Sequence, residues 1–258
     1  MLNLNLKAVW SVALGLLMLV AACSDSSEPT TSTPTIPDTL KVRAMHLSYD
    51  APAVDVFLGG SSTATFNSLT YGNATEYVQV DPGTLNVKMN QAGTSTTVID
   101  FDAPLTDERL YTFYAIDALA NLDGVFTVDE RANTDTTASI AKIRLIHAVP
   151  DAPRIDFDGS FVDNNGVQRM ETIALDLAFK QASFYASVDA DTFSLVIRPA
   201  GDSTIVVAFE PVVLEDDAAY SVVAQGTLVD TTDAFPFEAN MFIDSGNGME
   251  KVSLIPLP

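Results

Sequence analysis

The sequence repeats one phrase about a hundred residues further along, and this internal duplication constrains the fold more than any other feature. KVRAMHLSYDAPAVDV at 41–56 returns as KIRLIHAVPDAPRIDF at 142–157. Aligned without a gap, the copies share Lys, Arg, His, Asp, Ala, Pro and a second Asp. A duplication on this scale predicts two similar domains of about 100 residues, a common size for a unit with its own core.

The correspondence extends well beyond the phrase. Tyr77 matches Tyr185, and Ala92-Gly93 matches Ala200-Gly201, at one constant offset. We therefore predict a signal peptide at 1–22, a tether at 23–38, a first repeat at 39–138 and a second repeat at 139–258.

The first 22 residues are typical of a targeting segment. Lys7 provides a short positive region, and the apolar run from Ala8 to Ala22 is shorter than the roughly 20 residues that span a bilayer. Small residues directly before Cys23 resemble a bacterial lipobox. Cleavage there would leave Cys23 as a lipidated N-terminus. Since Cys23 is the only cysteine, a disulfide within the chain is excluded.

The next segment, 24–38, is rich in Ser, Thr and Pro and nearly free of large apolar groups. Such a composition predicts a disordered, extended tether. Ser24 stands where an Asp would resemble an inner-membrane retention signal, which favours the outer membrane. We predict that the protein is lipid-anchored in the bacterial cell envelope. The sequence is compatible with either the periplasmic or the surface face of the membrane.

The formal net charge of −21 argues against nucleic acid and anionic membrane surfaces as partners, because both bind through Lys and Arg. We interpret the acidity as a solvated surface. An alternative is calcium binding, for which Asp156, Asp158 and Asp163 are the weak candidates. Their spacing does not fit an EF-hand loop, and the neighbouring Asp-Gly and Asn-Gly pairs favour turns. We predict no cofactor.

Alternating apolar and polar residues predict β-strands in both repeats. The apolar rows are Leu85, Val87 and Met89 in the first repeat and Phe193, Leu195 and Ile197 in the second. Short strands separated by frequent turn signals predict an all-β fold of two tandem β-sandwich domains, immunoglobulin-like or transthyretin-like. The segment 169–179 is open to interpretation as a short helix or a strand.

Each copy of the phrase ends an apolar row on a histidine and continues into a turn. The residues that form this motif are His46, Asp50, Pro52 and Asp55, and His147, Asp151, Pro153 and Asp156. We interpret the imidazole as a latch that locks the turn by hydrogen bonding to the aspartate or the local backbone. A metal or proton-transfer site is the alternative, although one histidine per domain is few for zinc.

The phrase, followed by Tyr-x-x-Val, Ala-Gly and a Leu-x-x-Asp-x-x-x-Tyr segment, resembles domain-of-unknown-function family 4397. The resemblance covers about 41–127 and 142–227. It implies a bacterial, secreted or surface-anchored protein with tandem copies, and it implies no settled activity. The copies differ at Tyr49, where the second has Pro150, and in the longer stretch from Gly159 to Phe179 of the second copy.

These features favour a non-enzymatic, lipid-anchored envelope protein with a binding, adhesion or structural role, whose ligand is a polysaccharide or an envelope protein. One alternative is a carbohydrate-binding accessory protein, with Tyr49, Tyr71 and Tyr185 as stacking faces. The only tryptophan, Trp10, lies in the predicted signal peptide. A metal-dependent hydrolase is less well supported, since no Gly-x-Ser-x-Gly, HExxH or P-loop pattern occurs.

Overall fold

Strands account for most of the regular structure in the described part of the chain. The computed structural model describes residues 40–106, 108–130, 139–162, 166–229, 234–244 and 250–257. The predicted signal peptide, Cys23 and the tether lie outside these residues. In the described ranges no helix is long and apolar enough to span a bilayer.

Among its described residues the first repeat has nine strands and one 3-10 turn, Leu119–Asn121. The strands are β1 (Lys41–Leu47), β2 (Val54–Leu58), β3 (Phe66–Leu69), β4 (Asn73–Ala74), β5 (Val78–Gln79), β6 (Gly83–Gln91), β7 (Thr97–Leu105), β8 (Leu110–Ile116) and β9 (Asp123–Asp129). An inner sheet has the order β4-β1-β8-β9, with β5 also paired to β1, and an outer sheet has the order β3-β2-β6-β7. Within the inner sheet β1 and β8 run parallel.

The second repeat contains the remaining strands. They are β10 (Ile140–Ala148), β11 (Ile155–Val162), β12 (Gln168–Leu177), β13 (Ala186–Asp189), β14 (Thr192–Pro199), β15 (Val207–Ala208), β16 (Val212–Val213), β17 (Ala219–Gln225), β18 (Glu238–Ile243) and β19 (Lys251–Leu254). Its inner sheet has the order β13-β10-β17-β18-β19, with β10 and β17 parallel. Its outer sheet has the order β12-β11-β14-β15, with β16 also paired to β14.

Each repeat therefore encloses an apolar core between its own inner and outer sheets. The alternating rows predicted from the sequence line these cores: Val87 and Met89 are fully buried in the first, as are Phe193 and Leu195 in the second. The predicted all-β fold with two sandwiches is confirmed. Most of the ambiguous segment 169–179 lies in strand β12, so the longer stretch of the second copy extends the β11–β12 hairpin.

A third apolar cluster lies between the two inner sheets. Its buried members are Met45, Leu47, Tyr114 and Ile116 from the first repeat and Ile146, Ala148, Val223 and Phe242 from the second. The two inner sheets consequently pack against each other, and contacts join both repeats in one compact unit. Strands β8 and β17 are buried on both faces along their whole length, which explains their nearly continuous apolar sequences. The limits of 39–138 and 139–258 stay predictions.

Candidate functional site

The two histidines of the repeated phrase close the turns that follow β1 and β10. The Nδ1 atom of His46 accepts a hydrogen bond from the Ser48 backbone N–H at 3.3 Å. The ring proton then lies on Nε2, which donates to the carbonyl oxygen of Pro52 at 2.9 Å. His147 repeats this geometry with the Val149 N–H at 3.3 Å and the Pro153 carbonyl at 3.1 Å.

Both rings are neutral latches in this geometry. Burial lowers the pKa of His46 and of His147 from the ordinary value of 6.5, because a buried ring cannot hydrate its charged form. The partner of each ring is the backbone carbonyl rather than the aspartate of the motif. Both ring nitrogens are thus used in hydrogen bonds to the local backbone. The structural role of the histidines stays a prediction.

The first aspartate of each motif anchors a different loop. Asp50 accepts a hydrogen bond from the Leu119 N–H at 2.6 Å, at the start of the 3-10 turn. Asp151 accepts from the N–H groups of Leu228 and Val229, each at 2.9 Å. In both repeats the aspartate therefore connects the turn after the histidine strand to the loop that follows the central parallel strand.

The second aspartate of each motif accepts hydrogen bonds from two backbone positions with left-handed φ, one in the edge strand of the outer sheet and one in the turn that follows β6 or β14. Asp55 accepts from the N–H groups of Ser68 at 2.8 Å and Gly93 at 2.9 Å, and these residues have φ of 55° and 72°.

Asp156 makes the equivalent contacts with the N–H groups of Asp176 at 2.8 Å and Gly201 at 3.1 Å. The left-handed φ of Asp176 is 54°, like that of Ser68. The two aspartates thus connect the edge strand of the outer sheet to the same turn in both repeats.

The calcium candidates are engaged by a cation of the protein itself. Arg198 donates from Nε to Asp158 at 2.5 Å and lies 3.1 Å from a carboxylate oxygen of Asp156. Thr172 donates to the other oxygen of Asp158 at 2.8 Å. Asp163 lies outside the described residues. Among the residues that the structure describes, no three His, Cys, Asp or Glu side chains are grouped as metal ligands would be.

The arginine of the repeated phrase forms a buried polar cluster, which the sequence analysis missed. Arg43 points away from the first core, between the inner sheets, and its guanidinium ion-pairs with Asp244 of the second repeat. Its Nε donates to Thr112 Oγ1 at 2.8 Å, and its guanidinium lies 4.7 Å from the centre of the Tyr77 ring.

Arg144 makes the same set of contacts in the opposite direction. It ion-pairs with Asp129 of the first repeat, and its Nε donates to Ser221 Oγ at 2.8 Å. The Tyr185 ring lies 4.5 Å from its guanidinium. The two pairs are thus exchanged between the repeats, which is the arrangement of an isologous two-fold interface within a single chain.

Hydroxyl donors complete the coordination of both carboxylates. Asp129 accepts from Tyr77 Oη at 2.6 Å and from Thr112 Oγ1 at 2.5 Å. Burial opposes its ionisation, but Arg144 and Arg43 outweigh burial and lower the pKa of Asp129. Each of these contacts favours the charged carboxylate, so the acid is held ionised between the sheets.

Asp244 accepts from Tyr185 Oη and Ser221 Oγ, each at 2.6 Å. Burial raises the pKa of Asp244 in spite of Arg43, so its charge depends on that guanidinium. Burial also raises the pKa of both tyrosines well above 10, so each phenol keeps the proton it donates.

An aromatic contact joins the repeats at one margin of this interface. The Phe235 ring lies 5.6 Å from that of Tyr49 and 6.2 Å from that of Tyr71, both edge to face. Gly72 allows a close approach beside them, since a Cβ atom there would lie 2.8 Å from Gln225 Nε2. The tyrosines that the sequence suggested as stacking faces are therefore engaged within the protein, Tyr185 through Arg144 and the other two through Phe235.

Each sandwich also leaves an open groove between the edge strand of its outer sheet and the segment leading to its inner sheet. The groove of the first repeat has a volume of about 580 Å³ and is lined mainly by 65–70 and 73–76. The groove of the second repeat has about 650 Å³ and is lined by 173–177 of β12, by 181–186, and by 125–127 of β9. These volumes are in the range of ligand sites.

The two grooves differ in chemistry. Phe184 is 95% exposed at the second groove, and Leu175 is 65% exposed. At the constant offset that relates Tyr77 to Tyr185, the equivalent residues of the first repeat are Glu76 and Asn67. Two exposed apolar side chains of the second groove therefore stand where the first groove has polar ones.

Comparison with known proteins agrees with this duplicated architecture. The sequence profile of the family described as "Domain of unknown function (DUF4397)" matches residues 40–158 and again 141–252. The chain belongs to this family. The resemblance noted in the repeated phrase is thereby confirmed, as is its tandem arrangement.

Structural and curated comparisons add little to this family assignment. Among solved structures, the chain is similar to a family 26 carbohydrate-binding module of Eubacterium rectale in complex with maltoheptaose. That match has 10% identity and a TM-score of 0.25, and it covers 84% of this chain and 98% of the module. No curated protein matches the chain.

Proposed function

We propose that this protein is a non-enzymatic, lipid-anchored component of the bacterial cell envelope that presents two fused β-sandwiches as one rigid binding or adhesion unit. The crossed ion pairs Arg43–Asp244 and Arg144–Asp129 carry the proposal. Buried ion pairs are costly to separate, because each partner left alone becomes an unpaired charge. The repeats therefore act as one body rather than as two domains on a flexible linker.

The surroundings of the histidines support a non-catalytic role. Both ring nitrogens of His46 and of His147 are used in backbone contacts. A general base needs a free nitrogen within reach of a substrate proton. Arg198 forms ion pairs with Asp156 and Asp158. Because these carboxylates already have a cation, they argue against a catalytic metal and hence against the metal-dependent hydrolase.

The anchor is tested by blocking lipidation. Cells treated with globomycin are expected to accumulate an uncleaved precursor that keeps residues 1–22, whereas the Cys23→Ala form is expected to lack the lipid mass and to leave the membrane fraction. Intact mass spectrometry and membrane fractionation measure these outcomes. Retention of Cys23→Ala in the membrane with an unchanged mass contradicts the lipid anchor.

The binding role is tested by capture in cells. A photo-crosslinking residue at Glu76, in the groove of the first repeat, is expected to capture an envelope polysaccharide or protein that mass spectrometry identifies. The same photo-crosslinking residue at Val213 serves as the control. Val213 is 64% exposed and lies on β16, at the edge of the second repeat's outer sheet opposite β12. A defined polysaccharide would favour the alternative of a carbohydrate-binding accessory protein. Equal capture at both positions contradicts a role for this groove.

A further inference from the structure

We propose that β1 is a mechanical clamp, which carries the pulling force between the lipid anchor and a ligand held in the groove of the first repeat. The clamp rests on the proposed function, because it needs an anchored protein that binds at this groove. It adds what the fold does under load. The force pulls β1 along its own length, so that the contacts of the strand resist together.

The direction of the force follows from the two ends of β1. The predicted tether leads into the described fold at Leu40, so a pull on the anchor acts on the Lys41 end of the strand. The groove includes Asn73, which is paired with His46 near the other end. From strand geometry, these two points lie roughly 16 Å apart along β1 and only about 5 Å apart across it. A ligand at this part of the groove and the anchor therefore pull β1 lengthwise.

Hydrogen bonds hold β1 along both of its edges. On one side it runs parallel to β8 in registered pairs that cover its whole length. On the other side it pairs with β4 and β5. Every residue of β1 except Lys41 is buried. A lengthwise pull loads all of these hydrogen bonds at once, whereas a pull across the end of the strand breaks them one after another.

The second repeat keeps β1 from sliding. The side chain of Arg43 ion-pairs with Asp244 across the interface, and neither group is exposed. Met45 and Leu47 of the same strand lie in the apolar cluster between the inner sheets. For β1 to move along its axis the guanidinium must leave its carboxylate, and buried charges are costly to separate. The second repeat thus supports the strand on which the anchor pulls.

Single-molecule pulling on the lipid-free chain, residues 24–258, tests the clamp. One handle is fixed to residue 24. Because Cys23 is the only cysteine, Asn73→Cys or Gln79→Cys gives one defined thiol for the other handle. Gln79 is the matched control, since it is also exposed beside β1 but pairs with Lys41, where the pull runs across the end of the strand.

The two attachment points should differ in the force they withstand. We expect the unfolding force through Asn73→Cys to be at least about twofold higher than through Gln79→Cys at the same pulling speed, because forced unfolding is set by the barrier to leaving the folded state. Equal forces, or a higher force through Gln79→Cys, overturn the proposal.

A further variant tests the support from the second repeat. Arg43→Met with Asp244→Leu removes the ion pair without leaving an unpaired charge. It is expected to lower the force through Asn73→Cys more than the force through Gln79→Cys, because peeling from the Lys41 end breaks other contacts first. An unchanged ratio of the two forces overturns this support. Since the measurements need neither lipid nor ligand, either failure leaves the anchor and the binding role of the groove unaffected.

Discussion

The guanidinium of Arg43 in the first repeat ion-pairs with the carboxylate of Asp244 in the second, and neither side chain is exposed. Arg144 and Asp129 form the reciprocal pair. The repeated phrase thus supplies both cations of a two-fold interface, and each acid lies near the end of its own repeat. This exchange explains why a chain with two complete cores unites them in one unit.

Removing one partner of the pair should destabilise both repeats together. Arg43→Met leaves Asp244 buried without its cation, and we expect the free energy of unfolding to fall by about 3–5 kcal/mol. Guanidinium unfolding followed by fluorescence measures the change. Arg43→Met combined with Asp244→Leu should recover part of the loss, because no unpaired charge remains. A loss below about 1 kcal/mol, the range of exposed pairs, contradicts the structural role of the pair.

Acid should weaken the fold through the histidine latches. The pKa values of His46 and His147 are lowered by burial, so below about pH 6.5 the unfolded chain binds more protons than the folded chain. Stability is then lost as the pH falls, by up to about 1.4 kcal/mol per pH unit for each ring. Above pH 6.5 the rings are neutral in both states and the effect vanishes.

Urea unfolding between pH 5.5 and 8 measures this dependence. The control is His46→Gln with His147→Gln, which removes both titrating rings. The difference between wild type and this variant isolates the two imidazoles from the carboxylates. An identical pH slope in both proteins contradicts the prediction.

Gly226 is expected to tolerate no side chain, because a Cβ atom there would lie 2.2 Å from the carbonyl oxygen of Pro236. Gly201 has a similar left-handed backbone, with φ of 74° against 89°, and open space around it. Gly201→Ala should therefore cost about 1–2 kcal/mol from the backbone alone. Gly226→Ala should cost more, since Pro236 and the adjacent Phe235 must move. Equal losses in thermal unfolding contradict this close approach.

Chelator should leave the melting temperature unchanged. Asp156 and Asp158 already have a cation in Arg198, and a bound ion stabilises a fold only by binding the folded state. Thermal melts with EDTA and with millimolar calcium test this expectation. A midpoint that rises with calcium and falls with EDTA contradicts it and favours the calcium candidate.

The apolar rows of the two cores were predictable, because one buried face per strand produces a period of two. The histidine turns were partly predictable, since a ring that ends a buried row needs a polar partner, although its backbone partner is set by the turn conformation. The opposite face of β1 was missed. It carries Arg43 beside the buried Met45 and Leu47, and a cation next to such a buried pair signals a partner in the interior.

The identity of that partner could not follow from the sequence. Asp244 lies 201 residues from Arg43 along the chain, and many other acids were available to the same arginine. The groove of the second repeat was missed for a related reason. The exposure of Phe184 depends on how the edges of two sheets meet, although its replacement of Glu76 is visible in the aligned repeats.

Calorimetry tests most directly whether the two repeats form one rigid unit. For residues 24–258 we predict a single transition in which the van't Hoff and calorimetric enthalpies agree, because one cooperative unit unfolds. Arg43→Met with Arg144→Met, which removes both crossed pairs, should separate the transition into two. Two transitions in the wild-type protein, or a van't Hoff enthalpy about half the calorimetric one, would show that the repeats unfold independently.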